Sequence, residues 1–94
     1  MWLIVKCTMS HIDINLAMDL KEKIGKRIKA LREERKLKQE DLAWQSNLDR
    51  SYMNHVENGK RNITITSLEK IVNDGLKMTL SDFFNHEIFN EENN

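Results

Sequence analysis

The sequence predicts an all-α domain in which five helices surround one core. Apolar residues recur at helical spacing through most of the chain. Its 94 residues contain no proline, no repeat and no internal linker, and the β-favouring run at residues 2–5 has no evident partner strand. A chain of this length supports one small domain with a modest core.

The first predicted helix runs from Met18 or Asp19 to about Lys36. Its expected core face consists of Leu20, Ile24, Ile28 and Leu31. Between these apolar positions lie the basic residues Lys21, Lys23, Lys26, Arg27, Lys29 and Arg32. The segment Lys36-Leu37-Lys38 closes the helix and offers only a weak cap to the next one.

Two short helices are predicted next, joined by a tight turn. The first, from Gln39 to about Ser46, is expected to bury Leu42 and Ala43. Asn47 forms the corner, since asparagine tolerates the left-handed backbone conformation that most residues avoid. Trp44 falls on the other face of this helix. A position at the edge of the core is favoured for it over an exposed position against a sugar–phosphate backbone.

The second of these helices is expected to follow Asp49, whose side chain can accept hydrogen bonds from the free N–H groups of the first turn. Met53 and Val56 face inward, three residues apart, and Asn58-Gly59 provides a C-terminal stop. Two helices at a steep angle around such a turn form a helix-turn-helix. The second helix of that motif can lie in the major groove of DNA.

The segment after the motif contains Ile63 and Ile65 in alternation with threonines, which predicts a short extended link buried on one side. Thr66 is expected to cap a fourth helix, with Glu69 three residues later as its capping-box partner. Gly75 is expected to end that helix.

Thr79 is expected to cap a fifth, shorter helix from Leu80 to about Glu87. The folded domain then spans residues 19–89. Residues 1–18 are predicted to be a flexible or loosely attached extension, and residues 90–94 a disordered tail. An arm that enters the minor groove is the less favoured alternative for the extension, which carries one lysine and no arginine.

The formal net charge is zero, but the charges are unevenly distributed. Residues 21–38 hold nine basic and three acidic side chains, whereas residues 62–94 hold two basic and six acidic ones. Such an asymmetry lets one face meet phosphates. Lysine and glutamate that merely solvate helices would give the same composition, so charge alone does not decide the function.

Composition also limits the chemistry. Cys7 is the single cysteine and cannot form an internal disulfide, which favours a reducing cytoplasm. No apolar run is long enough to span a bilayer. The three histidines, His11, His55 and His86, lack metal-ligand spacing, and there is no glycine-rich phosphate loop or nucleophile motif. The sequence therefore predicts no metal site, no cofactor, no membrane partner and no enzyme.

The motif residues carry a family resemblance. Gln39, Ala43, Asn47 and the run Val56 to Lys60, VENGK, resemble the phage-repressor (XRE-like) helix-turn-helix family. The longer stretch SNLDRSYMNHVENGKRNITITSLEKI is similar to the controller proteins of restriction–modification systems. The broad resemblance covers about residues 24–84 and implies a five-helix, lambda-repressor-like DNA-binding domain.

The resemblance implies roles for individual residues. By this resemblance, the residues that read bases are Arg50, Ser51, Asn54 and His55. The residues expected to contact the DNA backbone are Gln39, Tyr52, Asn58, Lys60, Arg61 and Asn62. For Arg50 the alternatives are a phosphate contact alone, or a pair with Asp49 or Glu57. Arg32 and Glu57 match positions that the family joins in a structural ion pair.

Apolar residues near the acidic carboxyl end exceed what a small core needs, which predicts a partly exposed patch. Phe83, Phe84 and Ile88 are the candidate dimer contacts, and the resembled controller proteins are dimers that use their last helices in this way. The implied partners are a double-stranded DNA operator, a second copy of the chain and RNA polymerase.

The implied function is sequence-specific DNA binding by a homodimer that regulates transcription near its own gene, in the bacterial cytoplasm and nucleoid. Within a restriction–modification system, the regulated genes would include an endonuclease. A phage-type repressor or an antitoxin is the alternative in the same class. A protein-interaction module that has kept the fold without the DNA role is the alternative from another class, favoured by the zero net charge and disfavoured by Arg50 and the Lys60-Arg61 pair.

Overall fold

The structure, a computed structural model, describes residues 18–90. Its helices are α1 (Leu20–Glu34), α2 (Gln39–Gln45), α3 (Arg50–Glu57), α4 (Ile65–Glu69) with its π-helical continuation (Lys70–Gly75), and α5 (Leu80–Phe84). A 3-10 turn, Glu87–Phe89, follows. No strand occurs among these residues, and the predicted five-helix, all-α fold is confirmed. The expectations for residues 1–17 and 91–94 lie outside the described residues.

One core lies among the helices. Helix α1 packs against α3, α2 packs against α3 and against the π-helical segment, and α5 also contacts that segment. The buried apolar side chains are Ile24, Ile28, Leu31, Leu42, Ala43, Met53, Val56, Leu68, Ile71, Val72, Leu76 and Phe83. The predicted inward faces of α2 and α3 are therefore correct.

Helix α1 follows its predicted pattern except at its first residue. Ile24, Ile28 and Leu31 are buried, but Leu20 is 61% exposed because it precedes the part of the helix that the core covers. The Glu22 side chain accepts a hydrogen bond from the Asp19 N–H at 2.9 Å. A hydrogen bond from the Lys21 ammonium, together with its positive charge, lowers the pKa of Asp19 from its ordinary value.

The approach of α1 to α3 requires a glycine. A Cβ atom at Gly25 would overlap the carbonyl oxygen of Val56 and would lie 2.8 Å from that of Glu57. At the end of α3, Gly59 has a φ of 73°, which a side chain rarely permits. Asn47 has a φ of 57°, as its place in the turn predicts.

The prediction for the start of α4 was wrong. Thr64 is the cap, because its hydroxyl oxygen accepts a hydrogen bond from the Ser67 N–H at 3.0 Å. Helix α4 therefore begins at Ile65, which is 85% exposed and does not lie in a buried link. Thr79 does cap α5 as predicted, by accepting from the Asp82 N–H at 3.1 Å.

Two kinds of feature are absent from residues 18–90. No helix in this range is long and apolar enough to cross a membrane. No group of three or more His, Cys, Asp or Glu side chains in the same range could hold a metal ion.

Candidate nucleic-acid interface

Helix α3 begins at a well-formed cap. The Asp49 carboxylate accepts hydrogen bonds from the N–H groups of Ser51, at 2.9 Å, and Tyr52, at 3.4 Å. These bonds satisfy donors that a helix start leaves free. The turn between α2 and α3 is thus fixed by Asn47 on one side and by Asp49 on the other.

Helix α3 has two chemically different faces. Met53, Val56 and Glu57 are buried and attach the helix to the rest of the domain. The four residues predicted to read bases are all exposed: Arg50, Ser51, Asn54 and His55. Since residues three and four apart lie on the same side of a helix, these four side chains share one solvent-facing surface, called here the reading face.

An ion pair between α1 and α3 supports this arrangement, and it joins the two residues that the sequence assigned to it. Arg32 donates from Nε to Glu57 Oε2 at 2.7 Å and from Nη2 to Oε1 at 3.1 Å. Its Nη1 donates to the Leu37 carbonyl oxygen at 2.8 Å. The Glu57 side chain is only 1% exposed. The pair therefore ties α1, the segment before α2, and α3 together from within.

Gln39 lies at the start of α2 with both ends of its amide in internal hydrogen bonds. Its Nε2 donates to Glu57 Oε1 at 3.1 Å, and its Oε1 accepts from Asn54 Nδ2 at 3.2 Å. Asn58 Nδ2 in turn donates to Asn54 Oδ1 at 3.3 Å. The sequence predicted a phosphate contact for Gln39 and gave no sign of these bonds, whose partners are distant along the chain.

Arg50 has a partner that the sequence did not suggest. Its Nη1 lies 3.3 Å from Glu40 Oε1 of α2, and both side chains are more than half exposed. The two partners that the sequence suggested for Arg50 are engaged elsewhere: Asp49 caps α3, and Glu57 pairs with Arg32. An ion pair this exposed contributes little to stability, so the guanidinium of Arg50 is available to another partner.

The loop after α3 presents the predicted backbone contacts. Lys60, Arg61 and Asn62 are exposed. The Arg61 guanidinium carbon lies 5.1 Å from the centre of the Tyr52 ring, within range of a cation–π interaction. The Tyr52 hydroxyl is buried and accepts or donates no hydrogen bond among the described residues. The Tyr52 side chain is therefore turned partly into the domain.

Part of the basic character of α1 serves the fold. Arg27 donates from Nε to the Phe83 carbonyl oxygen at 2.8 Å, and Arg35 donates from Nε to the Leu76 carbonyl oxygen at 3.1 Å. These arginines attach α1 to the carboxyl-terminal segments. The charge asymmetry of the sequence therefore overstates the number of cations that are free to meet phosphates.

Two aromatic residues differ from expectation. Phe83 has no exposed surface and packs in the core of its own chain, so its assignment to a dimer interface was wrong. Phe84 remains 38% exposed, and Ile88 is partly exposed. Trp44 is 84% exposed, not at the edge of the core, because the neighbouring Leu42 and Ala43 occupy the inward face of α2.

Comparisons with known proteins agree with this geometry. Residues 28–73 match the family model described as helix-turn-helix. The chain is 48% identical over 67 residues to control protein C.MunI from a Mycoplasma species, which covers 70% of this chain and 89% of that protein.

Two solved structures are also similar. The restriction–modification controller protein C.Esp1396I, crystallised as a tetramer in complex with its natural 35 base-pair operator, is 45% identical with a TM-score of 0.67, covering 71% of this chain and 87% of that one. The controller protein C.AhdI from Aeromonas hydrophila is 38% identical with a TM-score of 0.64, covering 68% and 96%.

Proposed function

We propose that this chain, which belongs to the helix-turn-helix family that includes the restriction–modification controller proteins, is a sequence-specific DNA-binding regulator of transcription. It acts as a homodimer on operator sites, and its regulated genes include a restriction endonuclease. The observation that carries the proposal is the reading face of α3, four polar side chains that point to solvent from a helix locked by a buried ion pair.

The reading face has the chemistry that the major groove requires. Arg50 can donate two hydrogen bonds to guanine O6 and N7, and Asn54 can pair with adenine N6 and N7. Ser51 and His55 add a hydroxyl and an imidazole, each able to donate or accept. A good bidentate contact discriminates against the wrong base by about 1–3 kcal/mol.

Contacts to phosphates would fix the register of α3 on the DNA. Lys60, Arg61 and Asn62 extend from the loop at its end, and the Tyr52 ring supports Arg61. Asn58 and Gln39 are the other two proposed phosphate contacts, and the Gln39 amide also makes hydrogen bonds within the domain. Phosphate contacts position a protein without reading sequence, and each neutralised phosphate steepens the salt dependence of binding.

Dimer formation would place two reading faces on one side of the DNA. Phe84 and Ile88 supply the exposed apolar surface for it. In a two-fold dimer the recognition helices meet half-sites about 34 Å apart, one turn of DNA. We assign the dimer and the DNA-binding unit to residues 19–89, with RNA polymerase as a further partner at the promoter and no catalytic role.

Fluorescence anisotropy tests the proposal with DNA from immediately upstream of the gene and a scrambled duplex of the same composition, at two salt concentrations. We expect tight, salt-sensitive binding that prefers the upstream DNA. Arg50→Ala should reduce this preference by about 10–100-fold, because it removes a bidentate base contact.

Lys77→Ala is the matched control, since it removes an exposed positive charge from the loop before α5. It should retain the preference. Equal, weak binding of the wild-type protein to both duplexes would contradict the proposal and favour a protein-interaction module.

A further inference from the structure

A chain of hydrogen bonds runs from the domain interior to the reading face. It begins at the Arg32–Glu57 ion pair, passes through the Gln39 amide, and reaches Asn54 and then Asn58. Each donor–acceptor distance in this series is between 2.7 and 3.3 Å. Of the four reading-face residues, only Asn54 takes part in these hydrogen bonds.

The buried Glu57 carboxylate determines the orientation of the three side-chain amides in this series of hydrogen bonds, those of Gln39, Asn54 and Asn58. The Glu57 carboxylate oxygens accept from Arg32, so Gln39 must turn its donor Nε2 toward them. The Oε1 of Gln39 then faces Asn54, which must present its Nδ2. The Oδ1 of Asn54 consequently accepts from Asn58. Flipping any one amide would place two acceptors or two donors opposite each other.

The fixed amide of Asn54 retains one free N–H and one free lone pair. The major-groove edge of adenine offers the complementary pair, an acceptor at N7 and a donor at N6. Guanine offers two acceptors, cytosine one donor, and thymine one acceptor beside a methyl group. An amide that is already oriented also loses less side-chain freedom on binding.

We infer that Gln39 is a positioning residue that sets base specificity: it holds the Asn54 amide in the orientation that selects adenine. The inference rests on the proposed function. It goes beyond the phosphate contact proposed for Gln39, because a phosphate contact alone would strengthen binding to every sequence equally.

The test uses Gln39→Met, which keeps the length of the side chain and removes both hydrogen bonds. Gln45→Met is the matched control, an exposed glutamine at the other end of α2. Binding is measured by competition anisotropy against operators that carry each base in turn at every position. We expect Gln39→Met to lower discrimination by about tenfold at one A·T pair and to preserve it elsewhere.

Asn54→Ala should lose discrimination at the same A·T pair, and the double variant should be no worse there than Asn54→Ala alone. Gln45→Met should leave the base profile unchanged. Unchanged discrimination at the A·T pair in Gln39→Met, with or without an equal loss of affinity for all operators, would overturn the inference, and so would additive effects in the double variant.

A second measurement needs no DNA. In nitrogen–proton NMR spectra, the Asn54 side-chain N–H₂ signals should shift and exchange faster in Gln39→Met, with backbone signals of the core retained. Unchanged Asn54 signals would overturn the inference. A wild-type protein that shows no preference for any DNA would overturn the proposed function and, with it, the assignment of adenine. The NMR signals of Asn54 test separately whether Gln39 positions the Asn54 amide.

Discussion

Glu57 joins α3 to both α1 and the start of α2. Its carboxylate accepts two hydrogen bonds from Arg32 and one from Gln39, at distances of 2.7 to 3.1 Å. A buried charge is tolerated only when such partners compensate for its lost hydration. The same carboxylate therefore anchors the fold and orients part of the reading face.

Removing this carboxylate should destabilise the domain. We expect Glu57→Ala to lower the free energy of unfolding by about 3–5 kcal/mol, because Arg32, whose side chain is 12% exposed, would be left without its counter-charge. Urea denaturation at a fixed protein concentration measures this change.

Glu33→Ala serves as the comparison, since Glu33 is exposed on α1 and should change stability by less than about 0.5 kcal/mol. An apolar double variant, Arg32→Met with Glu57→Leu, should be less destabilised than Glu57→Ala. A Glu57→Ala protein as stable as the Glu33→Ala protein would show that the pair carries no such role.

At the scale of the elements, the contact between α1 and α3 depends on the absence of a side chain at Gly25. Alanine is ordinarily the better helix former by about 1 kcal/mol. Here its Cβ would meet the backbone carbonyls of Val56 and Glu57, which cannot move without displacing the end of α3.

We therefore expect Gly25→Ala to destabilise the domain by about 1–3 kcal/mol, the usual range for overpacking. Thermal unfolding followed by circular dichroism gives the change in stability, and Lys29→Ala provides an exposed substitution on the same helix. A Gly25→Ala protein with a raised melting temperature would mean that the two helices are not held at this distance.

The sequence predicted the elements where a local signal decides the structure. Asn47, Asp49, Gly59 and Thr79 each have a backbone or capping preference that operates within a few residues, and all four behave as predicted. Thr64 and Thr66 are equally able to cap a helix. The choice between them is not local, because it depends on how α4 packs through Leu68.

Features that depend on distant partners could not be predicted in this way. The burial of Phe83 depends on how α5 packs against the π-helical segment, and no local pattern marks that segment. The hydrogen bonds of Gln39 join residues fifteen and eighteen positions away. The reading-face residues were found through the family resemblance, whereas their support required the three-dimensional structure.

For the whole molecule, the remaining apolar surface predicts the assembly. The centre of the Phe84 ring lies 5.0 Å from that of Phe83 and 4.9 Å from that of Phe89. Phe84 nevertheless stays 38% exposed, and Ile88 is also partly exposed. A two-fold dimer would bury this patch on both copies at once. The same aromatic cluster would therefore pack within one chain and supply the contact between two chains.

We expect light scattering after size exclusion, at tens of micromolar, to give about twice the chain mass of 11.1 kDa. Ile88→Glu should yield monomers with unchanged helical content, because it places a charge in the apolar contact. Ser81→Glu, at an exposed position of α5, should remain dimeric. Monomeric wild-type protein under these conditions would refute the assignment.

The chain of bonds through Gln39 also bears on how such a regulator could acquire new targets during evolution. Ser51 and His55 make no side-chain bond to any described residue, so each can be exchanged alone without loss to the fold. A change at Asn54 also removes the donor that faces Gln39 Oε1, so its effect depends on the residue at position 39. Mutational libraries that seek new operators should therefore vary residues 39 and 54 together, while residues 51 and 55 can be searched one at a time.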